Sequence, residues 1–220
     1  MKRLKQFKWA LIVLIAHIMI MMFFAVTLPR QTAVPMHWNI AGEIDGWASK
    51  YTALSFFLGI NIFVFLMLYL TPLYSPWYKK NEERFERILP NLTTILVSFL
   101  GLISALSMYI AKTENRELSV NILMLLIGFM FIALGNLMPK VPRNFFIGIR
   151  TPWTIANDEV WLRTHRIGGV TFVISGILIS LKSFILINSA TFQTAVMAAA
   201  FVILMYPIAY SFVIYKKLGN

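Results

Sequence analysis

No cysteine occurs among the 220 residues, which excludes disulfides, thiol catalysis and cysteine-based metal sites and leaves the redox compartment open by this route. Charge is scarce as well. Charged residues make up 13% of the chain, where a soluble domain carries about 25%. No stretch outside the apolar runs is much longer than about thirty residues, too few to bury a core of its own. The signatures HExxH, G-x-S-x-G, the P-loop and S-x-x-K are all missing, so no enzyme is expected, and no cofactor or metal.

Apolar residues are abundant: 59% of the chain is hydrophobic and its mean hydropathy is +0.72, values that indicate an integral membrane protein. Crossing the hydrocarbon core takes about 20 mainly apolar residues. Six segments meet this requirement, roughly 9–28, 53–72, 92–111, 119–138, 169–187 and 193–215. Lipid offers no partner for backbone N–H and C=O groups, and the alternation of a barrel strand is missing, so the fold class is all-α, a single polytopic bundle of six transmembrane helices.

The 20 basic residues outnumber the 9 acidic ones, for a net charge of +11. With the N-terminus inside, 15 of the 20 fall on the inner side: Lys2, Arg3, Lys5, Lys8, Lys79, Lys80, Arg84, Arg87, Lys140, Arg143, Arg150, Arg163, Arg166, Lys216 and Lys217. Arg30, Lys50, Lys112, Arg116 and Lys182 remain outside. The positive-inside rule therefore predicts cytoplasmic termini in a plasma membrane. The charge reads as a topology signal in contact with the lipid bilayer, without direct nucleic-acid binding. The first apolar run follows four cations as a signal peptide would, but it is longer than such a core and lacks an A-x-A-like site before Pro29, so an uncleaved anchor is expected.

Two connections are longer than neighbouring helices need. The outer loop, 29–52, carries His37, Trp38, Asn39, Gly42, Glu43, Asp45 and Gly46. Its glycines bracket the carboxylates as turn residues do, and its aromatics suit a membrane interface. It reads either as an interfacial lid or as a ligand-contacting surface. One histidine with two carboxylates at no known ligand spacing does not specify a metal site.

The inner loop, 139–168, packs Arg143, Asn144, Gly148, Arg150, Thr151, Pro152, Trp153, Trp161, His165 and Arg166 into a short stretch. Pro142 and Pro152 predict irregular backbone up to Trp153. A short helix follows, capped by Asn157 with Asp158 and Glu159 in its first turn, and it places Trp161 and His165 four apart on one face. An interfacial helix meeting lipid headgroups and a docking surface for a partner are both open readings. Asn136, at the inner end of span four, is placed to tie that helix to the loop.

The order Val34-Pro35, Trp38, Gly42, Trp47 in one loop echoes Val141-Pro142, Phe145, Gly148, Trp153 in the other. One follows span one outside and the other follows span four inside, the pattern a 3+3 inverted repeat would leave. Within the spans there is no Asp, Glu or Arg. His17 near a midplane is expected to be a neutral histidine bonded across helices, to Asn61 or to a serine of span three. Gly176 and the small residues around Ala198–Ala200 read as packing positions, and Pro207 as a kink.

The run Gly135-Asn136, Pro139-Lys140, Asn144-Phe145-Phe146-Ile147-Gly148-Ile149-Arg150-Thr151-Pro152-Trp153-Thr154, then Val160-Trp161 and Thr164-His165-Arg166, resembles the signature of the SdpI family of bacterial membrane immunity proteins. Leu28-Pro29, Pro35, His37, Trp38, Gly42 and Asp45-Gly46 are similar to the short domain of unknown function that begins those proteins. The resemblance implies protection against a secreted peptide toxin. It also implies signalling, in which a small DNA-binding repressor is held at the membrane. On this reading the outer-loop residues face the toxin, and Asn136 with the inner-loop residues serves the cytoplasmic partner. A small membrane transporter or exporter is the alternative, motivated by the repeat and weakened by the absence of intramembrane carboxylates for ion coupling.

Overall fold

The computed structural model describes residues 2–39, 43–113, 117–184 and 190–219. Helix α1 (Lys2–Gln6) leads into α2 (Lys8–Thr27), followed by a hairpin of β1 (Ala33–Trp38) and β2 (Ile44–Ser49). Ser49 then caps α3 (Lys50–Tyr69) by accepting from the Thr52 N–H. Short α4 (Thr71–Tyr74) and α5 (Pro76–Lys80) precede α6 (Glu82–Thr113) and α7 (Glu117–Leu137). A 3-10 turn at Met138–Lys140, an irregular segment and α8 (Pro152–Ala156) connect to α9 (Asp158–Lys182), and α10 (Ala190–Lys217) follows.

Six of these helices are long and apolar enough to cross a membrane, so this is an all-α, multi-pass membrane protein. Three features differ from the sequence expectation. Helix α6 begins ten residues earlier than the apolar run, because its first turns are amphipathic: Phe85, Ile88 and Leu89 are buried while Arg84 and Arg87 are exposed. The predicted short helix after Asn157 and span five are one helix, since Gly168 and Gly169 continue it instead of breaking it. The outer loop is an antiparallel hairpin, pairing Val34 with Ala48 and Trp38 with Ile44. Gly42, Arg116 and the expected far end of span five, 185–187, lie outside the described residues.

The helices pack as two groups of three. α2, α3 and α6 enclose one core at the end bearing the N-terminus, around Phe7, Phe65, Tyr78 and Phe85. They enclose a second below the hairpin, around Met21, Phe57 and Met108. α9 lies between α7 and α10, and α6 and α7 join the groups.

The α7–α9 seam is built on glycine. Gly128 faces Gly176 and Gly135 faces Gly169, spaced seven residues apart on each antiparallel helix. A Cβ at Gly176 would lie 2.6 Å from the Gly128 carbonyl oxygen, and one at Gly135 would lie 2.7 Å from that of Gly169. Such close approach is how helices gain contact area where no hydrophobic effect drives association. In the first group all three helices pack on one another, whereas in the second α9 lies between the other two. The expected 3+3 inverted repeat is tested by superposing α2, α3 and α6 on α7, α9 and α10 through an in-plane two-fold. The loop echo pairs a hairpin with an irregular segment.

His17 sits in the expected network. Asn61 Nδ2 donates to His17 Nδ1 at 2.8 Å and to the Val97 carbonyl at 3.3 Å. His17 Nε2 contacts Ser104 Oγ at 2.7 Å, and that hydroxyl donates to the Gly101 carbonyl at 2.9 Å. The chain of donors is consistent only if His17 is neutral with its proton on Nε2. His17→Leu strands buried Asn61 and Ser104 and is expected to cost about 1–3 kcal/mol, read as an earlier midpoint in unfolding by a denaturing detergent. An unchanged midpoint would show that the network does not hold α2, α3 and α6 together.

Candidate functional site

The chain presents two built loops at opposite ends of the bundle. At the hairpin end, Pro29 follows the end of α2, and the Leu28 carbonyl accepts from Lys50 Nζ at 2.5 Å. Lys50 is 2% exposed. This buried ammonium, together with the Lys50 N–H to Thr32 carbonyl bond of 3.1 Å, ties the base of the hairpin to the start of α3. Sequence reasoning treated Lys50 only as an outer charge, since nothing local marks a lysine that a carbonyl 22 positions away will cover.

Across the strands, His37 Nδ1 meets Asp45 Oδ1 at 2.5 Å, with both side chains largely exposed. The pair adds little stability but fixes two polar groups toward solvent. Gly46 is required opposite His37, because a Cβ there would lie 2.8 Å from that of His37. The turn closes through Asn39 and Glu43: Asn39 Oδ1 accepts from the Glu43 N–H at 2.9 Å, and Asn39 Nδ2 donates to the Glu43 carboxylate at 3.0 Å. Trp38 and Ile44 face inward, onto a cluster containing Leu106 and Ile110 of α6, Leu123 of α7, Ile179 of α9 and Ala200 of α10. The hairpin thus sits on α3 and α6, at the edge of a cluster that joins the two helix groups. Beside it is a cavity of about 660 Å³ lined by Gln31, Thr32, Trp47 and Lys112 among apolar groups.

At the opposite end the segment after the 3-10 turn is wound around buried polar groups. Asn144 Oδ1 accepts from the N–H groups of Phe146 and Ile147 at 2.7 and 2.8 Å, and its Nδ2 donates to the carbonyls of Pro142 and Ile147. Gly148 then takes φ of 108°, a conformation that favours glycine. A Cβ at this position would also lie 2.3 Å from His165 Nε2. That nitrogen accepts from the Ile149 N–H at 3.0 Å, and His165 Nδ1 donates to the Trp161 carbonyl at 2.8 Å. The Trp161 ring stacks on His165 with centroids 3.9 Å apart, while its Nε1 donates to the Val141 carbonyl at 2.8 Å. His165 is therefore a latch with both nitrogens committed to backbone, and the predicted shared face of Trp161 and His165 is real.

The remaining residues connect this segment to its neighbours. Arg143 pairs with Asp158 at 2.9 Å, donates to the Ile155 carbonyl and lies over the Trp77 ring. Thr151 and Thr154 form a reciprocal capping box at α8, with Pro152 in its first turn. Thr151 Oγ1 lies 3.0 Å from Ser211 Oγ, and Trp153 packs on Phe212 at 4.9 Å, both on α10. Asn144, Thr151, Trp161 and His165 are buried and so build the loop instead of presenting a surface. The exposed positions are Phe145, Phe146, Arg150, Pro152 and Arg166, with Arg150 folded back to donate to the Phe145 carbonyl. Asn136 does not tie α7 to the loop: it is exposed and donates to the Ile132 carbonyl of its own helix, which satisfies its amide within one turn.

One cluster escaped the sequence reading. Arg3 pairs with Glu86, donates to the Tyr69 carbonyl at 2.9 Å and to the Tyr78 hydroxyl at 2.9 Å, and lies over the Phe7 ring. Burial, and then the Glu86 carboxylate, push the Tyr78 hydroxyl up to about 12. A planar guanidinium can bridge several elements at once in this way, which a lysine cannot. Among the cations near the N-terminus nothing in the sequence singled Arg3 out, because its partners lie 66 to 83 positions away.

Comparison with known proteins fits this arrangement. The model of the SdpI/YfhL protein family matches residues 140–211, which span the latched segment, α8, α9 and most of α10. A domain of unknown function, DUF1648, matches residues 11–69, spanning α2, the hairpin and α3. The Immunity protein SdpI of Bacillus subtilis (strain 168) is 24% identical over 164 residues, covering 72% of this chain and 78% of that protein. No solved structure matches the chain significantly. The chain is thus similar to the SdpI family over residues 140–211, and to DUF1648 over residues 11–69.

Proposed function

We propose that this chain is a membrane immunity protein, protecting its cell from a secreted peptide toxin, with the hairpin outside and both termini in the cytoplasm. The carrying observation is the seat of the hairpin: it packs on α3 and α6, and Trp38 and Ile44 lie against an apolar cluster that continues into α7, α9 and α10. A peptide that engages His37, Asp45 and the neighbouring cavity therefore touches an element that packs against the cluster joining the two groups. Its effect on the far end is limited to its differential affinity for two arrangements of the bundle. The distribution of cations, 15 of 20 on the side of the termini, supports the orientation. The relative's name, an immunity protein, supports the activity.

The protein acts here without catalysing a reaction. His165 has both ring nitrogens bound to backbone, His17 is held between Asn61 and Ser104, and neither is free to serve as a base. The exposed rim of the latched segment, Phe145, Phe146, Arg150 and Arg166, is the surface offered to a small DNA-binding repressor. Toxin-sensitive cells expressing the chain are expected to survive doses that kill cells carrying an empty vector, and purified chain in proteoliposomes is expected to move no toxin. Toxin flux matching the survival gain would replace immunity by export, and no survival gain would remove the reading.

A further inference from the structure

At the end bearing the termini, a recess of about 570 Å³ opens between the two helix groups, bounded by α6, the 3-10 turn and α9. Arg84, Arg87 and Asn91 line it from one face of α6, and Lys140 lines it from the 3-10 turn. All four are exposed, while Ile88, Leu137 and Val141 at its base are buried. Its charge is unbalanced. Arg87 is paired with Glu83, but Arg84 and Lys140 have no ion pair among the described residues. Arg84 also stands in the first turn of α6, where the helix dipole disfavours a cation and favours an anion. A second, wholly apolar cavity of about 320 Å³ shares Ile88, Leu137 and Val141 in its walls.

Unpaired cations and apolar walls meet here at the ends of membrane-spanning helices. An amphiphile with an anionic head matches both features, and basic pockets between such helices are known to take acidic lipid headgroups. We propose that this recess binds one anionic phospholipid, its phosphate between Arg84 and Lys140 and its chains against the apolar wall. The bound lipid bridges α6 of one helix group to the 3-10 turn and α9 of the other. An acidic protein segment fits less well, because the wall below the cations is made of Ile88, Leu137 and Leu162 and would leave a polar backbone without partners.

The test is a titration of phosphatidylglycerol into the full chain held in phosphatidylcholine nanodiscs, with bound lipid counted by native mass spectrometry. One tight phosphatidylglycerol is expected per chain. Arg84→Gln combined with Lys140→Gln is expected to weaken it about thirtyfold, from the usual contribution of two interfacial cations. Lys216→Gln combined with Lys217→Gln removes the same charge from the end of α10 and is expected to leave the affinity within about twofold of wild type, since a surface contribution is local. Unchanged binding in the first variant, or equal loss in both, overturns the site. Competition by inorganic phosphate at matched concentration would replace the lipid by a free anion.

Discussion

Gly176→Ala is expected to take apart the second helix group, although it adds a single methyl. That methyl would stand 2.6 Å from the Gly128 carbonyl oxygen and 2.8 Å from an Ile132 side-chain carbon. The first of these is rigid helix backbone, so the helices must separate. Separation breaks the reciprocal contact seven residues away, where Gly169 and Gly135 hold the same spacing, and an antiparallel seam cannot open at one point only. The expected cost is about 3 kcal/mol or more, the upper part of the overpacking range, seen as loss of folded chain in detergent by gel filtration. Gly59→Ala is the control, because nothing lies within 4 Å of the added methyl. There the helix gains roughly 0.5–1 kcal/mol from propensity. Equal behaviour of the two variants would show that the seam is not tight.

Gly148→Ala and His165→Ala are expected to undo the latch from its two sides. Alanine at position 148 must hold φ of 108° and must also push His165 Nε2 away from 2.3 Å, together about 2–4 kcal/mol. His165→Ala removes the acceptor of the Ile149 N–H and the ring on which Trp161 stacks, about 2–4 kcal/mol by loss of buried contact and of a satisfied group. In both variants limited proteolysis is expected to cut between Asn144 and Thr151 while the hairpin stays resistant. If the latched segment is the output surface, these variants lose repressor recruitment and retain part of the protection, as does Arg150→Ala. Equal loss of both at unchanged membrane level would assign the segment a purely structural role.

The parts of this fold that could be read in advance are those set by local chemistry. Six spans follow from apolar length, the Asn157 cap from its side-chain oxygen, and the partners of His17 from the scarcity of polar groups in lipid. What could not be read depends on distant neighbours. Gly168 and Gly169 look like a helix break until Gly135 and Pro139 are known to lie against Gly169. The hairpin was hidden because Val34, Met36 and Ala48 are buried against helices rather than in a sheet core. Lys50 and Arg3 could not be told from topology charges, since their partners, carbonyls for one and a carboxylate, a hydroxyl, a carbonyl and rings for the other, are brought in by the fold. At the inner loop the residue types were legible but not their placement: Asn144, Thr151 and His165 form the internal frame, while Phe145 and Phe146 stand exposed with Arg150 and Arg166.

The toxin-facing role proposed for the hairpin is decided by dose–survival curves of sensitive cells carrying the wild-type chain or His37→Ala combined with Asp45→Ala, at matched membrane levels. Both side chains are largely exposed and bonded chiefly to each other, so the fold should be unaffected. The protective dose is expected to fall by about tenfold or more, the scale of removing a central contact. Protection equal to that of the wild-type chain would contradict it.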